Sequence, residues 1–399
     1  MRILIISSFL PYPLFNGGHV RLYNLMKQLA RHHKLTLVCE KRDHQTDKDI
    51  AEVKKLCEQV YCVDRKKQWS MSNIAKSGIS PNPFLLIGHT LPEMKQRIIS
   101  LLREKTFDLI HVETSYVFQN LPKTYLPIVL AEHNIEYQVY RKYVDVAPMP
   151  LRPLLMLDIE KLKYWEKEFW KKATKLVAVS DADKAEMGRE DTVVVPNGVG
   201  KNSFPFVSYK KKFARKEKRI LFMGDFKWLQ NREAVNYILD KIWPEIEKKT
   251  QAKGLRMNIK LWIVGKHIPD DIKSQKSDSI LIDENAPDDT AKIYEKSFAL
   301  LAPITVGGGT SYKILESMAS GVVVVTTALG VKGLEAVPGK HALVGKTVED
   351  FTSQIISLLD GETQYEKIQK EARILIEEKY TWEEIAKKLE HVYTQAIAI

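Results

Sequence analysis

The chain has 399 residues, a hydrophobic content of 44% and a formal net charge of +11 at pH 7. This length suits two domains of about 200 residues each, and the composition excludes a low-complexity chain. The charge favours an anionic partner, and nucleotide diphosphates, anionic lipid headgroups and nucleic acid all qualify. Three cysteines, Cys39, Cys57 and Cys62, are odd in number and lack metal-ligand spacing. We therefore expect no disulfide framework and a cytoplasmic protein.

Short β-branched runs alternate with helical patterns along most of the chain. Because the runs are short and apolar throughout, they predict strands buried on both faces of parallel sheets, with crossover helices between them. The sequence thus predicts two α/β domains, each with a doubly wound parallel sheet. The predicted strands are Ile3–Ile6, Leu35–Val38, Val60–Val63, Leu109–Val112, Ile128–Leu130, Leu176–Val179, Ile220–Met223, Leu261–Val264, Ile280–Ile282, Phe298–Ala302 and Val322–Thr326.

Membrane contact, if present, should be peripheral. The first run ends at Ser7 without the cleavage site of a signal peptide, and no run reaches the ~18 apolar residues that a membrane span needs. A predicted helix over residues 154–175 carries lysines beside an apolar stripe and can lie on an anionic membrane, but we favour packing of its stripe on the N-terminal domain. The stretch from Lys66 to His89 lacks clear periodicity and predicts a mobile acceptor loop.

The boundary between the two halves should fall between Pro196 and Arg219. A turn-rich stretch, residues 196–200, leads into a basic run over residues 210–219. Like charges in a row repel one another, so we expect this run to be a solvated linker.

The most informative segment covers residues 298–321. It predicts a strand, a loop with three glycines (residues 307–309), a helix capped by Thr310 or Ser311, and a left-handed Gly321 after the helix. Glycine lets the backbone approach an anion closely, and the first N–H groups of a helix favour negative charge. The segment therefore predicts an anion site.

Two charged residues follow the glycines on one helical face. Lys313 lies in the first predicted turn, and Glu316 lies three residues later, so both can meet one ligand. The lysine can hold a diphosphate, and the carboxylate can accept hydrogen bonds from ribose hydroxyls. The alternative interpretation is a tight turn followed by a surface ion pair.

At this point the chain resembles the family 4 glycosyltransferases of the GT-B fold. The resemblance rests on the run GGGTSYKILESMASGVVVVTT with Gly330 and Gly333-Leu334-Glu335 after it, and on further segments in matching order. These segments are Asn16-Gly17-Gly18 with Arg21, Glu132-His133-Asn134 with Glu136, Val179-Ser180, Pro196-Asn197-Gly198-Val199, Phe222-Met223-Gly224 and Trp243-Pro244.

The resemblance implies a domain plan. It implies two Rossmann-like domains that face an interdomain cleft. We expect an acceptor-binding domain over residues 1–200, a basic linker over 201–218, a nucleotide-sugar donor domain over 219–378, and a C-terminal helix over 379–399 that crosses back to the first domain.

The resemblance also implies site residues. It makes Glu316 the ribose ligand and places His133 on the transferring sugar; with Lys313 these are the predicted catalytic residues. The acceptor-binding candidates are Arg21, Asn134 and Glu136. The donor-binding candidates are Gly17, Gly18, Gly224, Lys227, Asn231, Gly265, Gly308, Gly309, Thr310, Ser311, Lys313 and Glu316.

The chain departs from the family pattern at two places. The family's first glutamate of an E-x7-E pattern would fall at Gly308, so the sugar-side contact has no assigned carboxylate. The basic pair that the family often places after Gly224 is absent; Lys227 and Arg232 are candidates, or else ordinary solvated bases.

The predicted function is transfer, with retention of configuration, of a sugar from a nucleoside diphosphate sugar to a glycan, lipid-linked or other acceptor in bacterial envelope or exopolysaccharide synthesis. We expect no cofactor and no essential metal; Asp288 and Asp289 more plausibly open a helix. A catalytically silent nucleotide-sugar-binding scaffold and a nucleotide-sugar epimerase remain alternatives. A nicotinamide-dependent oxidoreductase is disfavoured by the absent fingerprint, and nucleic-acid binding has only net charge in its favour.

Overall fold

The structure is a computed structural model that describes residues 1–65, 67–144, 147–252, 258–284, 290–305 and 310–399. The chain divides into two compact units. Unit 1 comprises Met1–Pro196 with Ile385–Ile399, and unit 2 comprises Asn197–Glu384. Each unit contains a parallel sheet with helices in the connections, which confirms the predicted α/β architecture.

Unit 1 is built on a seven-stranded sheet with the strand order β3-β2-β1-β4-β5-β6-β7. All of its neighbouring strands pair in parallel. Every strand predicted in the first half is present, because runs that are buried on both faces carry a strong apolar signal. The strands are β1 (Arg2–Ser7), β2 (Lys34–Lys41), β3 (Gln59–Asp64), β4 (Leu109–Glu113), β5 (Ile128–Ala131), β6 (Lys175–Ala178) and the unpredicted β7 (Val193–Val194).

The long helix α7 packs its apolar stripe on the unit 1 core, as expected. Ile159, Leu162, Phe169 and Trp170 are buried there. The expectation of an irregular stretch over residues 66–89 is wrong, because two short helices, α3 and α4, form in it. The helices are α1 (Gly17–Leu29), α2 (Asp47–Lys54), α3 (Met71–Ile79), α4 (Phe84–Gly88), α5 (Pro92–Glu104), α6 (Glu136–Val144), α7 (Arg152–Lys172) and α8 (Asp181–Met187), with 3-10 turns at Ser115–Asn120 and Met149–Leu151.

Unit 2 is built on a six-stranded sheet with the strand order β10-β9-β8-β11-β12-β13, and its neighbouring strands are again parallel. The predicted strands of the second half are all present. The two-residue β13 was not predicted, because two residues are too few to show a pattern. The strands are β8 (Glu217–Asp225), β9 (Asn258–Lys266), β10 (Ile280–Asp283), β11 (Ala299–Ala302), β12 (Val323–Thr326) and β13 (Leu343–Val344).

The remaining helices connect the strands of unit 2 and lead to the C-terminus. The last of them, α18, contributes its residues from Ile385 onward to unit 1. The helices are α9 (Tyr209–Phe213), α10 (Leu229–Tyr237), a π-helical segment (Ile238–Ile242), α11 (Trp243–Ala252), α12 (Asp270–Lys273), α13 (Ala291–Lys296), α14 (Tyr312–Ala319), α15 (Ala328–Val331), α16 (Val348–Asp360), α17 (Glu362–Lys379) and α18 (Trp382–Ile397). Within the described ranges, no helix has the length and apolar content that a bilayer crossing requires.

The expectation of a fully solvated basic linker is wrong at two lysines. Lys212 and Lys218 are buried in unit 2. The Lys212 ammonium donates to the carbonyl of Ser297 at 2.7 Å, and that of Lys218 donates to the carbonyl of Arg215 at 2.6 Å. Carbonyl oxygens thus replace the water that a lysine head normally keeps. Burial lowers the pKa of Lys212 to about 7.

Candidate functional site

The donor-side residues of unit 2 are assembled around two glycines at neighbouring strand ends. Gly224 in β8 and Gly265 in β9 are register partners near the carboxyl ends of their strands. A Cβ atom on Gly265 would lie 1.9 Å from the carbonyl oxygen of Gly224, and a Cβ on Gly224 would lie 2.7 Å from Cγ of Asn231. Only glycine fits this close approach, and it brings the Asn231 side chain against the sheet edge.

Asn231 connects this edge to Lys313. Its Nδ2 donates to the carbonyl of Asp225 at 2.8 Å, and its Oδ1 accepts from Lys313 Nζ at 3.0 Å. The ammonium also lies 5.1 Å from the centroid of the Phe222 ring, within cation–π range. Burial lowers the pKa of Lys313 to about 8, against the charge of Glu316, which raises it.

Glu316 lies one helical turn after Lys313 in α14 and has a different partner. The hydroxyl of Tyr294 donates to its Oε2 at 2.9 Å. Burial raises the pKa of Glu316 to about 7, while the Tyr294 hydrogen bond and the Lys313 charge act in the opposite direction. The two side chains are partly buried and held by separate residues, so a surface ion pair does not describe them.

The chain just before the start of α14 is held by Asn197. Thr310 is buried, its Oγ1 accepts from the Asn197 N–H at 2.8 Å, and its carbonyl accepts from Asn197 Nδ2 at 3.0 Å. Ser311 is the N-cap residue, and Gly321 after the helix has the left-handed φ of 71° that its position predicts. The predicted donor ligands Gly308 and Gly309 lie outside the described residues, as do Asp288 and Asp289.

Three further polar residues follow strands β8 and β9 at this edge of the sheet. Lys227 and Arg232 are exposed, so both interpretations of them stand. His267, directly after β9, contacts Asp225 through Nδ1 and Oδ1 at 2.9 Å. Sequence reasoning missed His267 and Tyr294; His267 could have been found from its place after a strand, whereas nothing local marks Tyr294.

In unit 1, His133 follows β5 and is held by a buried carboxylate at the end of β4. His133 Nε2 hydrogen-bonds Oε1 of Glu113, and Oε2 of Glu113 lies 2.6 Å from Nε2 of His111. The other nitrogen of His111, Nδ1, lies 3.0 Å from the hydroxyl of Tyr393 in α18. A continuous hydrogen-bonded chain thus joins Tyr393, His111, Glu113 and His133.

The donors and acceptors along this chain follow from the carboxylate. An ionised carboxylate only accepts, so both histidines donate from Nε2, and a neutral His111 then accepts at Nδ1 from the Tyr393 hydroxyl. Burial alone would raise the pKa of Glu113, but the charges and hydrogen bonds of His133 and His111 outweigh it and hold that pKa well below its usual range. The chain therefore leaves Nδ1 of His133 as the ring nitrogen that Glu113 does not hold.

The Asn16-Gly17-Gly18 segment, which the resemblance singled out, packs beside His133. A Cβ on Gly18 would lie 3.1 Å from His133 Nδ1. Gly17 begins helix α1, which Asn16 caps by accepting from the His19 N–H at 3.2 Å. The structure thus brings Gly18 and His133 together, although they are far apart in the sequence.

Two of the three residues predicted to bind the acceptor are buried. Arg21 is buried, and its guanidinium donates to the carbonyls of Val195 and Pro196 at 2.7 and 2.8 Å. Its fixed position in the interior argues against acceptor contact. Glu136 is also buried, and its Oε1 lies 3.4 Å from Nδ2 of Asn134, which is exposed. Of the three, only Asn134 is open to a ligand.

Comparison with known proteins identifies the family. The family model "Glycosyltransferase Family 4" matches residues 15–201, and the model "Glycosyl transferases group 1" matches residues 217–361. The chain belongs to the family 4 glycosyltransferases.

Individual relatives of the glycosyltransferase are distant. This chain is 22% identical to an uncharacterised 44.6 kDa protein in the cps region of Klebsiella pneumoniae, over 95% of this chain and 96% of that protein. The structure of sucrose-phosphate synthase from Thermosynechococcus elongatus matches it with a TM-score of 0.69 at 15% identity over 100% of both chains. HepE from Anabaena in complex with UDP-glucose matches with a TM-score of 0.63 at 13% identity over 99% of this chain and 100% of that one. These likenesses show the GT-B fold.

Adding one methyl group at Gly265 tests the close approach of the two strands in the glycosyltransferase. Gly265→Ala should destabilise unit 2 by about 3 kcal/mol, because the new Cβ meets a backbone oxygen that cannot rotate away. The matched control is Gly78→Ala in α3, where nothing lies within 4 Å of the new atom; it should stabilise the helix by about 0.5–1 kcal/mol. Urea unfolding measures both. Equal, small effects would contradict the close approach.

Removing the charge of the buried Glu113 carboxylate tests its contribution to the stability of the glycosyltransferase. Glu113→Gln should cost about 3–5 kcal/mol of unfolding free energy at pH 7, because an NH2 group replaces one of the two oxygens that accept from separate histidines. Because the folded pKa is depressed, the wild-type advantage over the variant exists above the unfolded pKa and disappears as pH falls toward the folded one.

Glu58 is the matched control, since it pairs with Lys34 on the surface. Glu58→Gln should change stability by less than about 0.5 kcal/mol. A Glu113→Gln variant as stable as this control at pH 7 would mean that the carboxylate is not the centre of the chain.

Proposed function

We propose that this glycosyltransferase takes its sugar from a nucleoside diphosphate sugar, which unit 2 binds through Lys313 and Glu316. One observation carries the proposal: a cation and a carboxylate lie one turn apart in α14, and each is fixed by its own partner, Asn231 or Tyr294. A diphosphate with an attached ribose needs this combination of charges.

The proposed chemistry at this site is electrostatic. The leaving nucleoside diphosphate gains negative charge as the bond to the sugar breaks, and the Lys313 ammonium with the N-terminus of α14 stabilises that charge. Glu316 accepts from the ribose hydroxyls. Because a lysine and helix amides supply the positive charge, we propose that the reaction needs no essential metal and no further cofactor.

We further propose that His133 contacts the transferred sugar and that transfer proceeds with retention of configuration. The resemblance to the family motif Glu132-His133-Asn134 supports this role. The chain from Tyr393 through Glu113 supports it independently, because it fixes the ring orientation and tautomer of His133 before any ligand binds.

We propose polysaccharide synthesis as the biological setting, with a glycan or lipid-linked acceptor. The relative in a capsule (cps) region supports the setting, and the complex of HepE with UDP-glucose supports a UDP-sugar as the first donor to test.

Nucleotide titration tests the donor proposal. We expect one of UDP, GDP or ADP to bind in calorimetry, and Glu316→Ala to weaken it by about 1–3 kcal/mol through loss of a charged hydrogen bond. Glu349→Ala is the control, because Glu349 pairs with Lys249 on the surface of the same unit, and it should bind like wild type. Binding of NAD alone, or of no nucleotide, would contradict the proposal.

The pH dependence of nucleotide binding provides a second test. Ionised Glu316 accepts from the ribose hydroxyls more strongly than the protonated acid does, so affinity should rise as pH increases through about 7, the pKa of Glu316. Lys313 must be protonated, so affinity should fall as pH rises above about 8. Tyr294→Phe removes a hydrogen bond that lowers the pKa of Glu316, so the rising limb should move to higher pH.

Tyr125→Phe, on an exposed tyrosine, is the control and should leave both limbs in place. A profile that is flat between pH 6 and pH 9, or one that Tyr294→Phe does not move, would contradict the assigned roles.

A further inference from the structure

Helix α3 of unit 1 turns its apolar side toward solvent. Its apolar positions, Met71, Ile74, Ala75, Gly78 and Ile79, have the spacing of a single helical face. No residue of α3 is buried, and Met71 and Ile79 are 82% and 90% exposed. A helix in a water-soluble domain normally buries this face, so the orientation is reversed.

Hydrogen bonds from the polar side hold α3 in this orientation. Asn73 Nδ2 donates to the carbonyl of Gln68 at 3.0 Å, and Ser77 Oγ donates to Oδ1 of Asp158 in α7 at 2.7 Å. Lys161 of α7 donates to the carbonyls of Ser77 and Ser80 at 2.7 and 2.8 Å. The contacts with α7 lie on the polar face, so the exposure of the apolar face is a built feature.

Neighbouring segments expose further apolar side chains. Trp69, just before α3, is 78% exposed and rests its ring on Phe84, with centroids 4.8 Å apart. The approach to α7 and its first turn, which lead into Asp158 and Lys161, expose Met149, Leu154 and Leu157. We call α3 together with Trp69 the α3 surface.

The charged side chains of the segment that contains α3 have one sign, and the nearby Asp158 of α7 is engaged by Ser77. From Arg65 to Pro92 the sequence contains no aspartate or glutamate, while it contains Arg65, Lys66, Lys67 and Lys76. Two copies of such a segment would repel each other, which disfavours self-association through α3. An anionic lipid surface complements both properties, because it accepts apolar side chains at its boundary and attracts cations.

We propose that the α3 surface docks the protein on an anionic lipid bilayer. Met71, Ile74 and Ile79 enter the boundary between headgroups and acyl chains, Trp69 lies at the headgroup level, and Lys67 and Lys76 face the lipid phosphates. This inference does not depend on the proposed donor site, since that site lies in unit 2 and α3 lies in unit 1.

Vesicle flotation with the full chain tests the proposal. Wild type should float with vesicles of phosphatidylglycerol and phosphatidylethanolamine but not with phosphatidylcholine vesicles, and binding should weaken in about 1 M salt, where the Debye length shrinks to about 3 Å. The variant Met71→Ser/Ile74→Ser/Ile79→Ser should lose at least about tenfold in partitioning, because three apolar side chains no longer enter the lipid.

Two further variants keep the test decisive. Val337→Ser/Ile374→Ser/Ile399→Ser removes three exposed apolar side chains elsewhere and should float like wild type. Lys67→Glu/Lys76→Glu keeps the apolar face and should lower binding to anionic vesicles specifically; it also serves if the serine variant does not fold.

Three outcomes would overturn the proposal. One is wild type that stays at the bottom of the gradient with both kinds of vesicle. Another is an α3 serine variant that folds and floats like wild type. The third is light scattering that shows a wild-type dimer which the serine variant converts to a monomer without lipid, since the α3 surface would then be an interface between two copies of this chain.

Discussion

The proposed donor site of this glycosyltransferase depends on how closely two parallel strands approach at their carboxyl ends. Gly224 and Gly265 lie in register there, with no room for a Cβ on Gly265. The missing side chains let Asn231 reach the sheet edge, and Asn231 in turn holds the Lys313 ammonium. A steric constraint in the sheet thus sets the position of a charge on a helix. Burial at the same place moves the pKa values of Lys313 and Glu316 toward neutrality, which makes both groups sensitive to a ligand.

In unit 1 the buried carboxylate of Glu113 fixes the orientation of the His133 ring. Glu113 accepts from His133 and His111, and Tyr393 closes the chain from the other side. Removing a carboxylate from water is costly, and two imidazole donors offset that cost only in one tautomer and one orientation. Helix α18 is therefore connected to the orientation of His133 through His111 and Glu113, so it does more than pack against unit 1.

Much of the fold could be predicted because strands buried on both faces are visible as apolar runs. The residues predicted to bind the donor include Gly224, Asn231, Gly265, Lys313 and Glu316, and the structure places these five in one region of unit 2. Tyr294 and Tyr393 could not be predicted, because each meets its partner only after distant parts of the chain have folded.

The wrong predictions have physical reasons as well. Lys212 and Lys218 were taken as solvated because their burial depends on carbonyl groups that a sequence does not reveal. The acceptor role that the resemblance implies for Arg21 stays a prediction, and the partners of its side chain in the structure are the main-chain carbonyls of Val195 and Pro196. Helix α3 was not predicted, because its nine residues are too few to show a clear period within an irregular stretch, and the direction in which its apolar face points depends on hydrogen bonds to α7.

A crystal structure of the protein with a bound nucleoside diphosphate, beginning with UDP, tests the central claim most directly. The account predicts phosphate oxygens within hydrogen-bonding distance of Lys313 Nζ and ribose hydroxyls on the carboxylate of Glu316, with Asn231 and Tyr294 in the positions described above. A nucleotide bound in unit 2 without contact to either side chain, or bound elsewhere on the protein, would contradict it.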